Sequence, residues 1–140
     1  MSLPTKIALE IVTPEGLLLR EPVDEIVAPG SNGYFGVRPG HTPMLASLGN
    51  GELSYRRDGE WRRLTCFSGW CEVLPDRVNV LADVAERAED IDVERAEEGL
   101  RRAEERMKRI KDEEGYEDAH SSYVREVTRL AAARHQRGGQ

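Results

Sequence analysis

The sequence predicts a mainly β chain that ends in helices: an N-terminal β-sandwich or flattened barrel over residues 1–86, then an antiparallel two-helix hairpin over 87–140. Three observations carry this expectation. Up to about Val84, apolar and polar residues alternate and are interrupted by turn chemistry. From Ala85 glycine becomes rare and charge density rises. From Val93 the apolar residues recur at spacings of 3 and 4.

The alternation begins at Ile7, Leu9 and Ile11, interleaved with Lys6, Ala8 and Glu10, and Thr13–Gly16 then supplies a Pro-Glu-Gly turn. Glycines 30, 33 and 36 match neither GxGxxG nor GxxxxGK[ST], and no helix obviously follows them, so they read as hairpin glycines rather than a phosphate loop. Ser54–Arg57 and Glu60–Phe67 flank Asp58-Gly59, a hairpin signal because both central positions of such a turn need positive φ. Val73 and Val78 flank a Pro75-Asp76 turn, and Val78, Val80 and Ala82 continue the period of two.

In the second half, Val93, Ala96, Leu100, Ala103, Met107 and Ile110 form one narrow apolar seam, with Asp90 or Asp92 placed to cap the helix start. Residues 111–115 predict a break, Ala119, Tyr123, Val127 and Leu130 a second seam, and Arg137–Gln140 a frayed tail. Alanine and single aliphatics line these seams, so little apolar area is available between the helices. Two readings stay open on the residues alone: separable arms, or a permanently docked helical cap.

Composition excludes several functions. The 140 residues are 39% hydrophobic and 33% charged with a formal net charge of -6, the pattern of a soluble domain with no bias toward nucleic acid. Nothing approaches the roughly 20 apolar residues of a bilayer span. MSLPTKIALE lacks the basic and apolar regions of a signal peptide, so the expectation is a cytoplasmic protein. Cys66 and Cys71 fit neither a CxxC redox motif nor a zinc pair and read as packed, reduced thiols. His41 stands alone in its half of the chain, without the partners that catalysis or metal binding requires, and reads as a loop-fixing or interface residue. Arg95, Arg102, Arg125 and Arg129 can either converge as a fork for a triphosphate or remain solvated charge, Arg102 pairing with Glu98.

Four stretches taken in order are shared with a known family: VTPEG (12–16), GYFGVRPGHTP (33–43), SGWCEV (68–73) and VLADVAE (80–86). Followed by a helical hairpin, they make the chain resemble the epsilon subunit of bacterial F-type ATP synthases. The resemblance implies a β-sandwich of about ten short strands that binds the gamma subunit and rests on the polar loops of the membrane c ring. It also implies a noncatalytic subunit that requires no cofactor and sits, peripherally and only through the complex, on the cytoplasmic face of the bacterial plasma membrane. By position in the motif, Ser31, Asn32, Gly33, Tyr34 and Phe35, with His41, would form the rotor interface. Two departures stand out. Family members often carry a carboxylate in that loop where Asn32 and Tyr34 stand here, which leaves a charge-based ring contact unsupported. Ser68 replaces the first glycine of a Gly-Gly-aromatic motif, a change expected to be tolerated.

In this family the helical half acts as a brake, folded against the sandwich or extended among the alpha and beta subunits to block ATP hydrolysis. Some members bind ATP on the folded hairpin through an Ile/Leu-Asp-x-x-Arg-Ala motif, complete here as Ile91-Asp92-Val93-Glu94-Arg95-Ala96. Carried over by position, Glu86 and Asp92 would meet the base or ribose, Arg95 and Arg102 would help hold the nucleotide, and Arg125 and Arg129 would reach it from the second helix. The rival expectation is a free-standing nucleotide-sensing or scaffold protein.

Overall fold

A computed structural model describes residues 4–138. Gly139 and Gln140 of the expected tail, and the first three residues of MSLPTKIALE, lie outside the described residues. Seven strands come first: β1 (Ile7–Thr13), β2 (Gly16–Val23), β3 (Glu25–Gly30), β4 (Gly33–Val37), β5 (Met44–Arg57), β6 (Glu60–Val73) and β7 (Arg77–Arg87). A 3-10 turn (Ala88–Asp90) leads into α1 (Val93–Arg109) and α2 (Glu113–Arg137).

The strands form one continuous sheet in the order β2-β1-β7-β6-β5-β3-β4, with β1 parallel to β7 and the remaining pairs antiparallel. The sheet folds over on itself. Asp24, which follows the edge strand β2, donates its N–H to the Arg56 carbonyl of β5 at 2.8 Å, and Arg57 reaches Glu21 at 3.1 Å. Between the layers lie Ile7, Leu9, Ile11, Val78 and Val80, the residues that the period of two assigns to one face, together with Leu53, Leu64 and Val73. The sandwich expected from the sequence is therefore present.

Its strands are fewer and longer than the ten expected, for a physical reason. β5 and β6 each run 14 residues, roughly 46 Å at about 3.3 Å per residue, and so pass through both layers. No turn divides their halves. The ladders are interrupted at Ser68-Gly69, two residues with positive φ (61 and 138): both skip the Ser68 position between Phe67 and Gly69 and resume in the same register. Leu64 and Cys66 are buried before this point, Cys71 and Val73 after it, so the positive-φ pair switches parity without shifting the register. Without that switch, exposed Trp70 and Glu72 would face the core.

Turn chemistry follows the sequence closely. Asp58 and Gly59 have φ of 52 and 82, as a two-residue hairpin of this twist requires. Asp92 caps α1 by accepting the Arg95 N–H at 3.1 Å. The helical break is shorter than residues 111–115. Asp112 caps α2 by accepting the Gly115 N–H at 2.8 Å, which places Glu113–Gly115 in the first helical turn.

The two cysteines are free and buried. Burial pushes the Cys66 thiol up to about 12, with the neighbouring Cys71 adding to the shift, and burial pushes Cys71 up to about 11. Both remain protonated and unreactive at neutral pH.

Ser68 occupies a left-handed conformation, φ 61, that favours glycine, so its tolerance carries strain. Ser68→Gly is expected to raise unfolding stability by about 1 kcal/mol in urea titrations. A Cβ on Gly69 would stand 2.0 Å from the Leu81 carbonyl oxygen, so Gly69→Ala is expected to lose more than ~2 kcal/mol in the same assay. Equal stability of all three proteins would contradict the backbone geometry at Ser68-Gly69.

Candidate functional site: the cavity between sandwich and hairpin

The helices lie close because their contact is made of small residues. Ala96, Gly99 and Ala103 of α1 are buried, facing Ala119, Leu130 and Ala133 of the second helix. Val127, expected in the second seam, is exposed, and the seam passes through Glu126 instead. Gly99 makes that possible: a Cβ there would stand 2.2 Å from Glu126 Oε2. Glutamate thus enters a helix–helix contact at the one position where its neighbour has no side chain.

The hairpin is docked on the sandwich through the second half of α2. Ala132 and Ala133 pack with Ala88, Ile91 and Val93, a thin apolar contact. Polar groups surround it. Arg129 Nε donates to Glu86 Oε1 at 2.7 Å, its Nη1 donates to Glu126 Oε1 at 2.9 Å, and its guanidinium lies 5.4 Å from the Phe67 ring centroid. Burial opposes the charge on Arg129, and the two carboxylates outweigh it, so its pKa lies above the ordinary arginine value. Further along, Glu52 pairs with His135 at 2.9 Å and Arg63 at 3.0 Å. Gln136 accepts the Arg63 N–H at 2.8 Å and donates to the Trp61 carbonyl at 3.3 Å.

Between the end of β7, the start of α1 and the face of α2 lies a cavity of ≈ 360 Å³, within the size range of small-molecule sites. Glu86, Ile91, Asp92, Arg95, Ala96, Arg102 and Arg129 all line it, so residues spread over 43 positions converge. Arg125 does not join them; it is exposed on α2 and lines none of this cavity. Asp90 and Glu126 complete the lining; the sequence offered Asp90 only as a helix cap, and Glu126 was not singled out. Glu126 stands three residues before Arg129, an i,i+3 charge pair that is the one signal for it in the chain.

The electrostatics are mixed. Arg95 and Arg102 have no ion-pair partner among the described residues, and the expected Arg102–Glu98 pair does not form. Asp92 is occupied with capping α1, whereas Arg129 is held by carboxylates on both sides. The cavity therefore offers two uncommitted guanidiniums and one committed one. That set suits a polyanion carrying a hydrogen-bonding organic portion. No three His, Cys, Asp or Glu side chains cluster as a metal site among the described residues.

The residues assigned to a rotor interface are held by separate contacts. Ser31 and Asn32 form the β3–β4 turn, with Ser31 bonded to Ser47 through its N–H at 2.9 Å and its hydroxyl at 2.8 Å. Gly33 has φ 129, Phe35 packs on the core, and the exposed Tyr34 ring sends its hydroxyl to accept the Glu52 N–H at 3.1 Å. His41 lies in the following loop, where Nδ1 sits 2.7 Å from the Thr42 carbonyl and Gly40 N–H donates to Pro75 at 2.8 Å.

Because Arg129 joins both ion pairs and the Phe67 contact, Arg129→Gln is expected to loosen the dock by about 1–2 kcal/mol. Chymotryptic cleavage of α2 should accelerate while the urea midpoint of the sandwich stays fixed; an unchanged cleavage rate would contradict this assignment.

Comparison with known proteins is consistent with the geometry. A family model described as ATP synthase, Delta/Epsilon chain, beta-sandwich domain matches residues 6–88, and one described as the long alpha-helix domain of the same chain matches 89–134. The ATP synthase epsilon chain of Syntrophobacter fumaroxidans is 48% identical over 128 residues, covering 91% of this chain and 96% of that one. That of Thermodesulfovibrio yellowstonii is 49% identical over 104 residues, covering 74% of each. A chain in the cryo-EM structure of Euglena gracilis mitochondrial ATP synthase (OSCP/F1/c-ring) shares the fold at TM-score 0.83 and 23% identity, covering 94% of this chain and 84% of its own. With both halves matched in order and relatives near half identity across most of the length, this chain belongs to the ATP synthase delta/epsilon chain family.

Proposed function

We propose that this chain is the noncatalytic central-stalk subunit of an F-type ATP synthase, and that its hairpin is a brake on ATP hydrolysis which ATP holds in the folded position. The observation that carries the brake is the dock itself: helices laid on the sandwich through alanine, the Arg129–Glu86 ion pair and a few hydrogen bonds. Such a contact is weak enough for two arrangements to differ by only a few kcal/mol, as a switch requires. The names of the relatives support the assembly, and in the Euglena assembly a chain of this fold occurs together with F1 and a c-ring.

The sandwich supplies the fixed end. Its outer face carries exposed Leu17, Leu81 and Trp70 in one row across β2, β1, β7 and β6, with Leu45 beside them on β5. This apolar row is suited to permanent contact with gamma. The Ser31–Phe35 turn, short and pinned to Ser47 and Glu52, presents a neutral polar surface to the loops of the c ring. No described helix is long and apolar enough to cross a membrane; in this reading the chain meets the membrane through these partners. In the extended state, basic residues of α2 would meet acidic residues of the alpha and beta subunits.

In the folded state Arg95 and Arg102 bind the phosphates of ATP, Arg129 reaches them from α2, and Glu86 and Asp92 face the nucleoside. ATP then bridges the 3-10 turn, α1 and α2, adding to the dock by mass action.

Deleting residues 89–140 is expected to raise ATP hydrolysis by the assembled complex; unchanged hydrolysis would contradict the brake. In calorimetric titration of the full chain with ATP, Arg95→Gln and Arg102→Gln should each weaken binding about tenfold, whereas Arg125→Ala should leave it nearly unchanged. Equal effects at all three positions would contradict the role given to the cavity.

A further inference from the structure

We infer that Glu126 is a built-in competitor for the anionic ligand of this cavity: its carboxylate holds Arg129 where a phosphate would otherwise bind, and so limits affinity. This rests on the nucleotide reading above and adds to it the device that sets the ligand concentration at which the hairpin locks.

The geometry is specific. Glu126 Oε1 accepts from Arg129 Nη1 at 2.9 Å, and its side chain is only 17% exposed, on the wall shared with Arg95 and Arg102. Arg129 thus spends its fork on Glu86 and Glu126 before any ligand arrives. A phosphate approaching Arg129 meets a carboxylate already bonded there, and the two like charges disfavour one another in a partly dehydrated space. For Arg129 to serve the ligand, one of its carboxylates must let go. Glu86 comes from the sandwich and forms part of the dock, whereas Glu126 sits on α2 beside Arg129, so its release leaves the link between the bodies intact.

Gly99 explains how the competitor is housed. Any side chain there would occupy the space of the Glu126 carboxylate, with a Cβ 2.2 Å from Oε2. The obstacle is the far end of a flexible side chain, so an added methyl group would turn the carboxylate away from Arg129 rather than break the helix pair. Two substitutions therefore reach the same end by different means. Glu126→Gln removes the charge, and Gly99→Ala moves it.

The test is calorimetric titration of the full chain and both variants with ATP, with circular dichroism to verify helix content. Glu126→Gln is expected to tighten ATP binding on the order of tenfold, and Gly99→Ala to shift it in the same direction by a smaller factor. If the wild type binds ATP and Glu126→Gln binds equally or more weakly, the competitor role is overturned with the nucleotide site intact, and weaker binding makes Glu126 a positioning residue for Arg129. If neither wild type nor variants bind at millimolar ATP, the nucleotide reading falls and this inference falls with it.

Discussion

Alanine at positions 88, 96, 103, 119, 132 and 133 lets the two helices approach each other and the sandwich, and the same residue gives that contact little apolar area. Everything distinctive about the helical half follows from this constraint. A methyl side chain buries little surface, so hydrophobic burial alone scarcely exceeds the entropy lost in ordering the helices. Directional groups must then define the docked position. Arg129 with Glu86 and Phe67, Glu52 with His135 and Arg63, and Gln136 with two backbone groups of β6 supply that definition. Partly exposed ion pairs of this kind fix geometry more than they add stability.

The sandwich works from the opposite balance. Its core is built from large aliphatic side chains that are fully buried, and two long strands, β5 and β6, paired in one register along their length, tie its layers together. A stiff body bearing a loosely attached arm is the architecture expected of a part that must stay attached to a stalk while one element moves. The cavity lies where the two meet, lined from β7, α1 and α2. A ligand there contacts both bodies and can shift their equilibrium only by its differential affinity for the docked arrangement.

Much of this was legible in the chain. Asp58-Gly59 marked a hairpin because its φ values are dictated locally, and Asp90 or Asp92 marked the start of α1, of which Asp92 is the one that caps the third amide. The strand count was not legible, because β5 and β6 continue past Ser68-Gly69 with no turn and no change of register, and the positive-φ pair there leaves only a change of parity between Cys66 and Cys71. Val127 and Glu126 exchanged places for a similar reason. Apolar periodicity assigns the seam to valine, but the partner position is Gly99, and only the fold brings that opening opposite residue 126. For the cavity, the motif from Ile91 to Ala96 located the α1 wall, and the resemblance supplied Glu86 and Arg129. Arg125 and Arg129 are equivalent in charge and one helical turn apart, so only packing against Phe67 and Glu86 separates them.

If the hairpin is held by a contact much weaker than the sandwich that carries it, native-state hydrogen exchange on the full chain will separate the two. Amides of α1 and α2 are expected to exchange through an opening of only a few kcal/mol, well below the value for β5 and β6. Exchange of helix and strand amides at one common free energy would mean a single cooperative body, and would contradict the separable arm.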